Sequence, residues 1–462
     1  MVGVFYIMFS MKNRRKQKKV NLAVVSALIN SGANFFSSNQ IDRAENKFRE
    51  AIKFAPNVPE AWNNLGSVLK EQGRLLEAHK CFKKAIMLRP EYASAHSNLL
   101  FVSHYLPHQT LCKNKRAHQK WVLKHLKKTT VNSALKSFDG CRRIKVGLVS
   151  PDLYFHPVGV FILPWLLNRS HKFEMYVYHG NQRVDPLTQQ IKNNVDHWRN
   201  CVGMIDKDLA GVINKDEIDI LIDLSGHTAG NRLPLFAQRQ AKVQVSWIGY
   251  PSTTGVKEMD YVFMDHFSAP EGYQVGFTEK LVRLEGLRFC YSPPSYAPPV
   301  VQSPVIRNGY VTFGSYNNLA KLTSDVIKVW AKILEVVRNS RLILKWKSLS
   351  DEVTKSRIVD QFVKYGIEKE RIECRGWSSH SEMLVEYGDI DVALDPFPFS
   401  GGLTSCDALY MGVPTITLAG ELPIGRQTGS FLDALKLNEL IAYTGVCQRS
   451  CVCRSNADRS AG

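Results

Sequence analysis

The stretch "SGGLTSCDAL" (400–409) follows an apolar, strand-like run, "DVALDPFPF" (391–399), and opens a helix-like one. Gly401 and Gly402 carry no β-carbon, so a ligand can approach backbone N–H groups just where a helix begins, and Thr404 and Ser405 add hydroxyls. Such a turn suits a phosphate or diphosphate, because helix N-terminal dipoles favour negative charge. Asp407, three positions beyond Thr404, can accept hydrogen bonds from a ribose. A plain helix cap is the competing reading. Lys321, with Asn317 and Asn318, stands in "YNNLAK" (316–321), directly after the strand-like "YVTFGS". His156 in "PDLYFHPVGVF" and His227 in "SGHTAGNR" each follow another apolar run, as does "IGYPSTTG" with Pro251, Thr253 and Gly255. Singly, a loop histidine or a Gly/Thr turn is ordinary surface. Five strand ends bearing Gly, Ser/Thr, His, Asn or Lys read instead as one rim. Neither a Walker A loop nor a G-x-G-x-x-G fingerprint occurs, which argues against P-loop and standard dinucleotide chemistry.

The elements that must position these residues form two sets. "IKVGLVS" (144–150), "KFEMYVYH" (172–179), "IDILIDLSG" (218–226), "KVQVSWIGY" (242–250) and "MDYVFMD" (259–265) read as strands of one sheet. "YVTFGSY" (310–316), "RLILKWK" (341–347), "RIECRG" (371–376), "DVALDPF" (391–397) and "PTITLAG" (414–420) read as a second. The Pro-rich "YSPPSYAPPVVQSPV" (291–305) separates them as a linker. Strand–helix alternation on both sides predicts two doubly wound α/β halves, with ligands beyond the carboxyl ends of the strands.

An internal repeat precedes them. "RAENKFREAIKFAP" (43–56) and "EAHKCFKKAIMLRP" (77–90) pair Ala44 with Ala78, Phe48 with Phe82 and Pro56 with Pro90, and Gly32 stands the same distance before Gly66. Small residues at fixed places in a 34-residue period mark tetratricopeptide helical hairpins, which bind partner segments and do no chemistry.

Composition narrows the class. At 462 residues the chain needs more than one core. Lys and Arg number 60 against 42 Asp and Glu, part of that excess lying in "KNRRKQKK" (12–19) and "KNKRAHQKWVLKHLKK" (113–128). Both are read as solvated charge, and with no aromatic-plus-basic signature nucleic acid is not an expected partner. Ten cysteines without a C-x-x-C pair point to reduced thiols and a cytoplasmic location, and "CQRSCVCRS" (447–455) lacks zinc-ligand spacing, so no metal is expected. No run reaches membrane-spanning length, and the N-terminal charges follow the apolar stretch, the reverse of a secretory signal.

These motifs in this order ("SPDLYFHPVG", "DILIDLSGHTAGNR", "QVSWIGYPSTTG", "VTFGSYNNLAKLTSDVIKVWAKIL" and "DVALDPFPFSGGLTSCDALYMGVPTIT"), following tetratricopeptide repeats, resemble the O-linked N-acetylglucosamine transferase / SPINDLY family over residues 30–440. The resemblance implies a GT-B fold and a nucleotide-sugar donor, UDP-N-acetylglucosamine or, as in plant SPINDLY proteins, GDP-fucose. It implies transfer to Ser/Thr hydroxyls of protein acceptors with inversion, no cofactor and no metal. Carried over residue by residue, Lys321 contacts the donor diphosphate with Asn318 beside it. Thr404 falls where the family binds phosphate, within the expected donor-binding turn of Gly401, Gly402 and Ser405, and Asp407 falls where it binds the ribose. His156 lies by the sugar and acceptor as a catalytic residue, and His227, Pro251, Thr253 and Gly255 line the same cleft. Where some members place a base-side histidine this chain has Met383, with His380 nearby, and Leu403 replaces a threonine of the phosphate turn.

The expected layout is a basic segment over 1–28, repeats and linking helices over 29–135, transferase halves over 142–290 and 309–446 around a linker at 291–308, and a tail over 447–462. That tail, "CQRSCVCRSNADRSAG", lacks helical periodicity where the family continues in helices, so a truncated or degenerate second half is expected. The predicted activity is protein O-glycosylation; the alternative is a tetratricopeptide adaptor with an inactive transferase half.

Overall fold

The computed structural model describes residues 23–126 and 140–443. The basic run at 12–19, the end of the repeat region from 127 and the tail from 447 lie outside them.

Helices α1 (23–37), α2 (Ile41–Phe54), α3 (Pro59–Glu71), α4 (Leu75–Leu88) and α5 (Ala93–Ser103) stack as antiparallel hairpins, followed by α6 (Leu111–His125). Residue 23 is already helical, ahead of the expected boundary at 29. The 34-residue period has a direct steric basis. A β-carbon on Gly32 would lie 2.8 Å from the Phe48 ring, and one on Gly66 would lie 2.7 Å from the Phe82 ring. Both aromatics are buried at the same place in successive hairpins, so the period repeats a packing contact.

Seven parallel strands build the first sheet: β1 (Ile144–Ser150), β2 (Phe173–His179), β3 (His197–Asn200), β4 (Ile220–Asp223), β5 (Val243–Ser246), β6 (Tyr261–Asp265) and β7 (Lys280–Leu284), ordered 3-2-1-4-5-6-7. The second holds β8 (Thr312–Ser315), β9 (Arg341–Lys345), β10 (Ile372–Arg375), β11 (Val392–Leu394), β12 (Thr415–Leu418) and β13 (Ile441–Ala442), ordered 10-9-8-11-12-13. Helices alternate with the strands in both, giving two Rossmann-like halves. The order reverses between β1 and β4 and between β8 and β11, and at such switch points diverging loops leave a crevice. β3, β7 and β13 were not expected. β3 and β7 are mostly half-exposed edge strands with charged residues, and β13 has only two residues, so none carries a long apolar run.

The repeats touch both halves. On the first, the Tyr250 hydroxyl lies 3.0 Å from His104 Nε2 and 2.7 Å from His118 Nε2, and Asn114 Nδ2 donates to Ser252 Oγ at 2.5 Å. On the second, Trp346 Nε1 donates to Glu71 at 2.6 Å, Lys347 pairs with the same carboxylate at 3.6 Å, and Asn39 Nδ2 donates to the Lys347 carbonyl at 2.8 Å. Among the described residues no helix is long and apolar enough to cross a membrane.

Candidate active site

A cleft of ≈ 970 Å³ opens between the halves at the two switch points. Its second-half wall begins where β8 ends. Lys321 closes a single 3₁₀ turn (Leu319–Lys321) ahead of the helix Ser324–Val336. The neighbouring Ala320 is fully buried among the repeat side chains, so the repeats fix the turn that carries the lysine. Lys321 Nζ donates to the Ser400 carbonyl at 2.8 Å and to Asn317 Oδ1 at 3.1 Å, and lies 4.7 Å from the centre of the Phe399 ring. Phe399 is backed in turn by Tyr105 and Phe101 of the repeats, at ring separations of 4.7 and 6.1 Å. Burial pushes the Lys321 ammonium down to about 8, with Asp395 pulling the other way.

Beyond β11 the helix Leu403–Tyr410 starts at Gly402, whose absent β-carbon would face open space. The N–H groups of Leu403 and Thr404 head the helix without an intrahelical acceptor, and the Thr404 hydroxyl donates to Asn317 Oδ1 at 3.1 Å. The Asn318 side chain accepts the Ala320 N–H at 2.9 Å, bracing the Lys321 turn.

Asp407 is fully buried, and both of its oxygens are engaged: Tyr291 donates to Oδ1 at 2.9 Å and His380 Nε2 lies 3.2 Å from Oδ2. The other nitrogen of His380 sits 2.8 Å from the Tyr296 hydroxyl, and its ring lies 4.9 Å from Phe155 of the first half. Both tyrosines belong to the Pro-rich stretch, so the linker is itself a wall of the site.

On the first half, His156 caps the helix Pro157–Leu167, its Nδ1 accepting the Val158 N–H at 3.3 Å. Burial lowers its basicity, opposed by Asp152. With Nδ1 accepting, the neutral ring carries its proton on Nε2, so toward the cleft it offers a donor.

Of the residues singled out from sequence, the cleft is lined by His156, Pro251, Asn317, Asn318, Lys321, His380, Gly402, Leu403, Thr404 and Asp407. Five others are placed elsewhere. His227 is buried at the repeat junction, with Nδ1 3.2 Å from Ser97 Oγ, Nε2 2.8 Å from the Thr254 carbonyl and the Trp121 ring against its edge. Thr253 donates to the buried Glu279 at 2.6 Å. Gly255, at φ 77°, presses on the His118 backbone, where a β-carbon would come within 2.8 Å. These three hold the junction and do not line the cleft. Gly401 spends its N–H on Asp395 at 2.6 Å, and Ser405 Oγ meets Thr428 Oγ1 at 2.8 Å, both buried beside the Gly402 turn. Met383 reaches the cleft beside His380. Arg183, Trp346, Trp377 and Gln427 also line it and were not anticipated; the first three follow β2, β9 and β10, where the strand-end rule alone could have found them.

The glycosyl transferase family 41 profile matches residues 90–290 and 302–458, and a tetratricopeptide repeat matches 59–92. The chain belongs to glycosyl transferase family 41. The family match runs to residue 458, into the tail that read as foreign to it. Among curated family relatives, the probable UDP-N-acetylglucosamine–peptide N-acetylglucosaminyltransferase SPINDLY of Oryza sativa is 36% identical over 79% of this chain and 40% of its own length. Its Arabidopsis thaliana counterpart is 36% identical over 76% and 39%. The chain thus spans about 40% of the length of these relatives. An O-GlcNAc transferase of Thermobaculum terrenum, solved as a point mutant, superposes with a TM-score of 0.87 at 31% identity, covering 93% of this chain and 89% of that one.

Proposed function

We propose that this family 41 protein is a protein O-glycosyltransferase, moving a sugar from a nucleotide diphosphate, UDP-N-acetylglucosamine foremost, to Ser/Thr hydroxyls of protein acceptors. The observation that carries the reading is convergence at the β8/β11 switch point. Lys321 Nζ and the helix opening at Gly402 meet through the Ser400 carbonyl and Asn317, with open space above Gly402. That pairing suits a diphosphate leaving group. As the acceptor oxygen attacks the anomeric carbon from the opposite face, the C1–O bond breaks and charge grows on the diphosphate. A preorganised ammonium and N–H groups in a desolvated cleft stabilise that charge in the transition state. We propose that they do so without a metal ion. His156 Nε2–H is proposed to orient sugar or acceptor as a donor, since accepting a proton at Nδ1 would break its helix cap. Tetratricopeptide hairpins present extended surfaces for partner segments, and here they supply Phe101, Tyr105 and Glu71 to the cleft, supporting a protein acceptor delivered along them.

Isothermal calorimetry of UDP, UDP-N-acetylglucosamine and GDP-fucose against the chain and Lys321→Ala tests the reading. Binding of a uridine nucleotide, weakened at least tenfold in the variant, supports it. A folded chain that binds no nucleotide would sink it and leave the adaptor role.

A further inference from the structure

The Ser400–Gly401 peptide is gripped at both ends. Its carbonyl accepts from Lys321 Nζ at 2.8 Å, and its N–H donates to Asp395 Oδ1 at 2.6 Å. One peptide group therefore lies between a cation and a carboxylate, its oxygen toward the ammonium and its N–H toward the carboxylate. Among the described residues no carboxylate forms an ion pair with Lys321 directly, and the hydrogen-bonded link from Asp395 to it runs through this amide. Asp395 is buried at the carboxyl end of β11, and its other oxygen accepts from Thr417 at 2.6 Å. In a low-dielectric interior, hydrogen bonds in series polarise one another and two charges across an oriented amide attract strongly.

We propose that Asp395 is a positioning residue for Lys321: it fixes the Ser400–Gly401 peptide so that the carbonyl holds the ammonium over the phosphate turn, and it supplies the buried counter-charge for that ammonium. The inference rests on the reading of Lys321 as the donor-side cation, yet it concerns Lys321 before any donor arrives. Burial pushes the Asp395 carboxyl up to about 6, with Thr417 and Lys321 opposing, so near neutral pH the carboxylate is ionised. Gly401 has no alternative to glycine at this point, since a β-carbon would fall 2.0 Å from Ser405 Oγ and 2.8 Å from Asp395 itself.

The test needs no nucleotide. Acetylation of Lys321 by acetic anhydride in the full chain, quantified by peptide mass spectrometry against pH, gives the midpoint of the ammonium directly. Asp395→Asn keeps an acceptor for the Gly401 N–H and loses the charge, so the midpoint falls by about one unit or more. Thr417→Val loses a hydrogen bond but no charge and leaves the Lys321 midpoint in place. The reciprocal measurement guards against an Asp395→Asn chain that does not fold. In Lys321→Met, carboxyl-labelled aspartate NMR shows the Asp395 midpoint rising, as linkage requires. An unchanged Lys321 midpoint in folded Asp395→Asn, or an unchanged Asp395 midpoint in Lys321→Met, overturns the proposal. A shifted midpoint in a chain that binds no UDP would retire the donor reading and keep the relay; UDP binding with unshifted midpoints would do the reverse.

Discussion

Acid loosens the junction between the repeats and the first transferase half, because its histidines are held neutral there. Burial pushes His104 down to about 3 and His118 down to about 4, from 6.5, as both pack against Tyr250. His227 is driven down in the same way. For a depressed histidine the unfolded chain takes its proton first, so the stability from burying it neutral is present above pH 6.5 and is lost as pH falls toward 4. The loss is about 1.4 kcal/mol per pH unit, hence about 2 kcal/mol per histidine at pH 5 and about 4 kcal/mol for His104 and His118 together. Asp223 and Asp395, both pushed up to about 6 by burial, act with the opposite sign: the folded chain protonates them first. At pH 5 they return about 1.4 kcal/mol each, about 3 kcal/mol together, so a global measurement mixes opposing contributions. A local probe is therefore needed. Amide hydrogen exchange of Leu111–His125, corrected for intrinsic rates and compared between wild type and His118→Gln, isolates one titrating group. The glutamine carbonyl can still accept from the Tyr250 hydroxyl, as Nε2 of neutral His118 does while Nδ1 donates to the Asn114 carbonyl, so the wild-type advantage in protection shrinks by about 2 kcal/mol, roughly thirtyfold, between pH 7 and 5. Parallel protection of the two proteins over that range would refute the account.

Two further outcomes follow from packing and hydrogen bonds. Gly32→Ala and Gly66→Ala each drive a β-carbon into a buried phenylalanine ring at nearly equal distances, so each costs about 1–3 kcal/mol in urea unfolding and the two costs agree within error. Tyr296→Phe removes the hydroxyl that orients His380 Nδ1 without touching Asp407, so the affinity for a uridine nucleotide in calorimetry falls by about 1 kcal/mol, roughly fivefold, with thermal stability unchanged.

The two-sheet plan was legible because most of the ten expected strands are largely apolar runs, the mark of parallel strands covered on both faces. The rim rule then found Lys321, His156 and the Gly402 turn, since position after a strand is written in one dimension. What sequence could not show was which way each rim residue faces. His227 follows β4 as His156 follows β1, yet the repeats pack over β4 and bury it against Ser97, which is 130 residues away. The Thr253–Gly255 segment turns inward for the same reason, claimed by the buried carboxylate of Glu279. The linker tyrosines were missed for a compositional reason. Proline density marks a connection, and only tertiary structure shows Tyr296 lining the cleft and Tyr291 bonded to Asp407.

The α3–α6 region fastens to one side of the cleft through Ser97, His104 and Asn114 and to the other through Glu71. Two jaws joined by one strap can be set at many gaps; jaws also pinned to a common bar cannot. The pitch of the helical hairpins thus gauges the distance between Phe155 and His380, which face each other across the mouth. A repeat array grafted from another protein would have to reproduce that pitch as well as the contacts. The repeats are the caliper of the cleft, and exchanging them would change the tool's setting along with its handle.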